Sequence, residues 1–214
     1  MYFLFSGEGP TDLGQCDLGL VECEGTNFKY GPLAVIVEQI ANSRRDVTFL
    51  GTPACSYLSE SALSKWASKL KSLKKSPRLP GKKRAKETTY FYQNARALAR
   101  CARDKERRLG NTIVAILFRD SDGTASAGRG DWAQKQVSML KGFEAEGFTR
   151  GVPMIPKPIS EAWLLCAKKD DPYENCKGLE ERSGSPKAPN SLKEELERRL
   201  GTHPSREAPL RLGV

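Results

Sequence analysis

The sequence predicts an α/β fold with a mainly parallel four-stranded sheet flanked by helices. Short apolar runs at Tyr2–Phe5, Val47–Leu50, Ile113–Phe118 and around Val152–Ile155 alternate with longer stretches of helical period. The run at Ile113–Phe118 is unbroken, as expected of a strand buried on both faces. It is followed at once by Arg119, Asp120, Ser121, Asp122 and Gly123, so two carboxylates stand where that strand gives way to its loop. Ligands of open α/β sheets bind at this end of the strands.

The other elements follow from local chemistry. Gly31-Pro32 opens a helix with Leu33, Ile36, Val37 and Ile40 on one face. Ser59 or Ser61 caps a second, with Leu63, Trp66, Ala67 and Leu70 apolar and Lys65, Lys69, Lys71, Lys74 and Lys75 on its other side. Pro77 to Lys86 reads as a mobile basic loop, and a long helix spans about Thr88 to Arg108 before Gly110 ends it. Its Tyr90, Phe91, Ala95, Leu98, Ala99 and Ala102 are available for burial, although the aromatic residues could also stack on bases.

Asp131 caps a helix reaching about Glu146, and Ser160 caps a short one through Leu165. Leu13 to Tyr30 has no clear period; its Asp17, Glu22 and Glu24 are surface residues or an outer acidic shell. Asp170 to Asn190 is polar and turn-rich, Ser191 to Leu200 a charged helix, and a poorly ordered tail follows from Gly201. The expected organisation is one domain over 1–167, with a basic helical insertion at about 60–109, and a C-terminal segment over 168–214.

A mean hydropathy of −0.53 and the lack of any run near 18 apolar residues predict a soluble protein without a membrane span. The N-terminal residues have no basic n-region or small-residue cleavage site, so no secretory signal is expected. The cysteines at 16, 23, 55, 101, 166 and 176 include no C-x-x-C pair, which argues against a zinc ribbon and predicts reduced thiols in a cytoplasmic protein.

The net charge of +9 is unevenly spread: Lys65–Arg108 holds 16 of the 35 Lys and Arg but 3 of the 26 Asp and Glu. That segment is thus basic against a slightly acidic remainder, either a solvated helix surface or the footprint of a phosphate backbone. The residues assigned to nucleic-acid binding are Lys74, Lys75, Lys82, Lys83, Arg84, Lys86, Arg96, Arg100 and Arg103. Carboxylates are costly to bury unpaired, so Asp120 and Asp122 together suggest a cation. Glu8 follows the first strand as Asp120 follows the third, between Gly7 and Gly9, which allow a sharp turn. If the two strands are neighbours, Glu8, Asp120 and Asp122 meet at one edge.

The segments Ser6-Gly7-Glu8-Gly9-Pro10-Thr11-Asp12 and Phe118–Gly123, with Glu161 in Ile159-Ser160-Glu161-Ala162-Trp163-Leu164-Leu165, resemble the TOPRIM family, in particular its small stand-alone OLD-like nucleases. The resemblance spans about residues 1–167 and rests on these three short motifs. It implies Mg²⁺ or Mn²⁺ bound by Glu8, Asp120 and Asp122, with Glu161 completing a second metal site. Glu8 is either a ligand or the general acid/base, its pKa raised by the other carboxylates when metal is absent. Lys157 either stabilises charge on the scissile phosphate or simply pairs with Glu161 four residues on. Such proteins are found with ABC-type ATPases in bacterial anti-phage defence, so the resemblance also implies an ATPase partner and hydrolysis of DNA or RNA, tRNA included. A homodimer is left open.

The size excludes a strand-passing topoisomerase, and the cysteine spacing excludes the zinc module of a primase. Two other readings stand beside the nuclease. Asp120-Ser121-Asp122-Gly123-Thr124 also resembles the motif of HAD-type phosphatases, with Asp120 as nucleophile and Asp122 as acid/base. A non-catalytic adaptor would use the basic segment alone to hold nucleic acid.

Overall fold

The first strand, β1 (Tyr2–Gly7), lies in the middle of the sheet and alternates its side chains between two cores. A computed structural model describes residues 1–7, 9–73, 86–119 and 132–201, with the backbone alone at 69–73 and 86–87. On one side β1 pairs in parallel with β5 (Cys55–Ser59), and on the other with β6 (Ile113–Phe118). Next to β6, and parallel to it, runs β7 (Gly151–Met154). The far edge is β3 (Glu22–Glu24), antiparallel to β5, so the sheet is mixed and five-stranded in the order β3-β5-β1-β6-β7. A separate ribbon joins β2 (Gly14–Cys16) to β4 (Phe28–Tyr30).

Parallel strands need crossovers, and these cover both faces. Phe3, Phe5, Ile116 and Phe118 meet α1 (Pro32–Arg45), α5 (Ser160–Ala167) and α7 (Leu192–Leu200) through Leu33, Ile36, Leu164, Leu165, Leu192 and Leu196. On the opposite face Tyr2, Leu4, Ile113, Ala115 and Leu117 meet α2 (Glu60–Leu73), α3 (Lys86–Leu109) and α4 (Trp132–Glu144). Phe91, Ala95, Leu98 and Ala102 form the helical stripe of α3 that lies on the sheet. The helices at 60–109, inserted between β5 and β6, form part of the layer on this face of the sheet. The 168–201 segment, with α6 (Lys177–Glu180), likewise continues the first core through Leu179, Leu192 and Leu196.

The strand that pairs with β1 on the side away from β6 is Cys55–Ser59, not Val47–Leu50. The backbone N–H groups of Phe49 and Leu50 donate to the Glu38 carboxylate at 2.8 and 2.7 Å, which removes them from any ladder. Phe49 is fully buried and stacks on Phe3 with ring centroids 3.9 Å apart. The apolar run was a packing segment. Thiol chemistry is also corrected: Cys16–Cys23 and Cys166–Cys176 are disulfides, and only Cys55 and Cys101 are free. Burial pushes both free thiols up to about 12, so neither is a ready nucleophile.

The arginine stripe of α3 has a structural use. Arg96 Nε and Arg100 Nε donate to the two carboxylate oxygens of Glu146 at 2.7 and 2.8 Å, and Arg103 reaches the Glu146 carbonyl at 2.6 Å. Gly142 permits this close approach of α4, since a Cβ there would stand 2.5 Å from the Tyr92 carbonyl oxygen. Burial alone would raise the Glu146 pKa, but hydrogen bonds from Arg100 and Arg96, with their charges, hold it below the ordinary value. A depressed carboxylate stabilises the fold above its unfolded pKa and stops doing so as pH falls through its folded one. Glu146→Ala is expected to cost about 3–5 kcal/mol at pH 7, because it strands buried guanidinium groups. The Glu146→Gln penalty, measured by urea unfolding, should shrink steadily as pH falls below 4.5.

Candidate active site

Gly7 ends β1 in register with Phe118 at the end of β6 and with Ser59 at the end of β5. Chain order passes from β1 out to β5 and back across β1 to β6, so the strand order reverses between β1 and β6. This is the position at which open α/β sheets hold ligands. Only glycine fits at 7, where a Cβ would lie 2.8 Å from the Phe118 Cβ. Covalent connectivity makes Glu8 the next residue after Gly7, and Asp120 the next after Arg119. Glu8, Asp120 and Asp122 lie outside the described residues, as do Lys74, Lys75, Lys82, Lys83 and Arg84; Lys86 is described by its backbone, as the first residue of α3.

The turn after Glu8 is closed by backbone bonds from Asp12 and Leu13 to the Gly9 carbonyl, both at 3.1 Å, with Gly9 at φ 79°. The start of α1 locks it: Leu33 N–H donates to the Asp12 carbonyl at 3.0 Å and Gly31 N–H to that of Leu13 at 2.8 Å. The Asp12 carboxylate folds back over Gly9, where a Cβ would come within 2.6 Å of its Oδ2. Burial pushes the Asp12 pKa up, opposed by hydrogen bonds from Ser160 and Thr11.

Ser160 is the first residue of α5, after Ile159 as N-cap, whose apolar side chain cannot cap the helix. The Ser160 hydroxyl lies 3.3 Å from Glu161 Oε2. Asp12, from the turn after β1, and Glu161, from the start of α5, thus meet through one serine. The described part of the site therefore offers two carboxylates, hard oxygen donors of the kind Mg²⁺ accepts. Among the described residues no group of three or more His, Cys, Asp or Glu could hold a metal ion.

Cations stand around the same edge. Arg119 is fully buried, 3.4 Å from Glu60 Oε1, with its guanidinium 5.2 Å from the Tyr90 ring centroid. Tyr90 hydrogen-bonds to the same Glu60 oxygen. The backbone N–H of Arg119 bonds to Met154 at 3.0 Å, carrying the β6–β7 pairing one residue further. Lys135 is also buried, beside the Phe91 ring. The Lys157 ammonium lies 5.9 Å from the Trp132 ring centroid, while the Trp132 indole N–H donates to the Ile155 carbonyl at 2.9 Å. Lys157 is on the β7–α5 connection and Glu161 is the second residue of α5, at this edge of the sheet.

Arg96, Arg100 and Arg103 are placed elsewhere: Arg96 is buried, and all three are bound to Glu146. Their assignment as phosphate contacts is corrected for that reason. Phe91 is a core residue, and Tyr92 lies under Arg96 at 5.7 Å. The acidic residues of the 13–30 segment also have structural partners, Asp17 with Lys29, and Glu22 and Glu24 with Lys105. Asp12 and Arg119 were missed by sequence reasoning. A signal existed for Asp12, a second carboxylate four residues after Glu8 in one glycine-bounded turn.

No protein-family model, curated protein or solved structure matches the chain. Among the described residues no helix is long and apolar enough to cross a membrane.

A carboxyl whose folded pKa is raised costs stability as pH rises from its unfolded pKa through its folded one. Asp12→Asn should therefore stabilise the metal-free protein at neutral pH. Thermal unfolding followed downward in pH should show that gain disappear as Asp12 takes up its proton. A gain that persists at acid pH would show that Asp12 carries no desolvated charge.

Proposed function

We propose that the chain is a Mg²⁺- or Mn²⁺-dependent nuclease of TOPRIM type that hydrolyses phosphodiester bonds of DNA or RNA. The observation that carries this reading is the register of Gly7 with Phe118. Glu8 and the Asp120-x-Asp122 motif follow in the chain directly from these adjacent strand ends, on the edge that also holds Asp12 and Glu161. Carboxylates from separate parts of a chain gathered at one strand edge are a poor structural device, because like charges repel. They make sense where a cation offsets them.

In this reading Asp120, Asp122 and Glu8 hold the metal, with Glu161 and Asp12 completing its surroundings. When bound, the ion would polarise a phosphoryl group and activate water. The protein's own residues supply the rest. Burial makes Asp12 hold a proton more readily than an ordinary aspartate, the direction that suits a general acid or base. Lys157, on the connection leading to Glu161, brings positive charge to a phosphate at this edge. Arg119, the last described residue before Asp120, is held at the end of β6 by Glu60 and Tyr90.

With Arg96, Arg100 and Arg103 committed to Glu146, the grip on the nucleic-acid backbone falls to Lys74, Lys75, Lys82, Lys83, Arg84 and Lys86. An ABC-type ATPase partner, in a bacterial anti-phage system, is the regulation this reading carries with it.

The decisive experiment incubates the purified protein with labelled DNA, tRNA and messenger RNA, in Mg²⁺, Mn²⁺ or EDTA. Cleavage is expected with either metal and none in EDTA. Glu8→Ala, Asp120→Ala and Asp122→Ala should each lower it by roughly a hundredfold or more while leaving binding intact. Cleavage that persists in EDTA would refute the metal, and turnover of p-nitrophenyl phosphate with trapping by beryllofluoride would mark a phosphatase instead.

A further inference from the structure

A cavity of about 490 Å³ opens at the start of α7, lined among others by Arg182, Ser183, Asn190, Ser191, Glu195 and Arg198. Ser191 is the N-cap of this helix and only 2% exposed, yet its hydroxyl makes no cap hydrogen bond. Ser191 lines the cavity, so its hydroxyl is free to bond to what enters there. The free N–H groups of the first helical turn carry partial positive charge at the same place.

The charges around the cavity favour an anion. Glu195 is its one lining carboxylate, and both of its oxygens are engaged, Oε2 by Arg182 at 2.6 Å and Oε1 by Arg199 at 3.5 Å. Arg182 also donates to the Asn190 carbonyl, which fixes its guanidinium at the cavity wall. Arg198 lines the cavity and makes no ion pair among the described residues. The cavity therefore offers a fixed guanidinium, an available one, a buried hydroxyl and a helix N-terminus, the donor set that recognises a phosphate oxyanion.

Its position adds a purpose. A Cβ on Gly184 would meet the Ile159 side chain at 3.0 Å and that of Pro158 at 3.3 Å. Gly184, next to the lining residue Ser183, thus packs on the two residues that lead into Ser160 and Glu161. We propose that the cavity formed by Arg182, Ser191 and Arg198 is a phosphate subsite for a backbone phosphate of the nucleic-acid strand, away from the bond that is cut. This rests on the nuclease reading for its purpose, but not for its chemistry.

The test uses the full chain in EDTA, so that nothing is cleaved. Sodium phosphate, compared with sodium chloride at matched ionic strength, should shift the amide resonances of Ser191, Leu192 and Lys193 in a saturable way. Arg198→Gln and Ser191→Ala should each weaken that response several-fold without changing the melting temperature; Arg198 is exposed, so its replacement leaves packing alone. With a labelled single-stranded oligonucleotide, Arg198→Gln should weaken binding and lower the slope of log K against log salt by about 0.7.

Shifts that never saturate, or that both variants retain, would overturn the site. Phosphate binding with oligonucleotide affinity untouched by Arg198→Gln would mean a pocket for free phosphate, and would overturn the backbone subsite. If both binding results hold and no substrate is cut in Mg²⁺ or Mn²⁺, the subsite stands and the nuclease reading fails.

Discussion

Parallel pairing of β1 between β5 and β6 is the constraint on which the other features rest. A parallel pair cannot be closed by a tight turn, so each neighbour of β1 must be reached by a crossover that covers one face of the sheet. The crossover to β5 lays α1 on one face, and the crossover to β6 lays α2 and α3 on the other. Reversal of direction between them leaves the ends of β1 and β6 side by side without a covering connection. Gly7 allows the closest approach at that point, since any Cβ would strike Phe118.

The molecule treats buried charge in two ways, and the contrast separates structure from chemistry. Glu146 is enclosed by Arg96, Arg100 and Arg103, each oxygen accounted for, and its pKa is held down. Such a network joins α3 to the end of α4 and leaves little capacity for reaction. Asp12 is half-buried, its partners are a serine and a threonine, and its pKa is pushed up. A carboxylate kept half-desolvated at the C-terminal edge of a parallel sheet is poorly explained by stability. The proposed cation would repay that desolvation.

Much of the fold was legible because helices announce themselves over many residues. The stripe Phe91, Ala95, Leu98 and Ala102 needed no partner to be recognised, and Gly110 marked its end. Strands are shorter, and an apolar run of four can serve another end. Val47–Leu50 fits a strand by composition, but the Glu38 carboxylate takes its N–H groups, and Cys55–Ser59 takes its place beside β1. The edge strand Glu22–Glu24 carries two acids in three residues and reads as a loop until Lys105 and Tyr2 are seen beside it. Cys16 and Cys23 show no motif along the chain and meet only once β2 and β3 are in place. The arginines of α3 have the period of a solvated stripe. Their partner Glu146 is up to 50 residues away, beyond any local pattern. For the site, the strand ends of Gly7 and Phe118 could be read from sequence, whereas the link from Asp12 through Ser160 to Glu161 depends on where α5 begins.

The most direct test of the central claim is the anomalous scattering of Mn²⁺ soaked into crystals of the protein. The account predicts a peak between the ends of β1 and β6, with carboxylate oxygens from both the Glu8 turn and the Asp120-x-Asp122 loop at about 2.0–2.3 Å. A peak elsewhere, or an empty edge with those carboxylates turned onto Arg119 and Lys135 as permanent ion pairs, would contradict it.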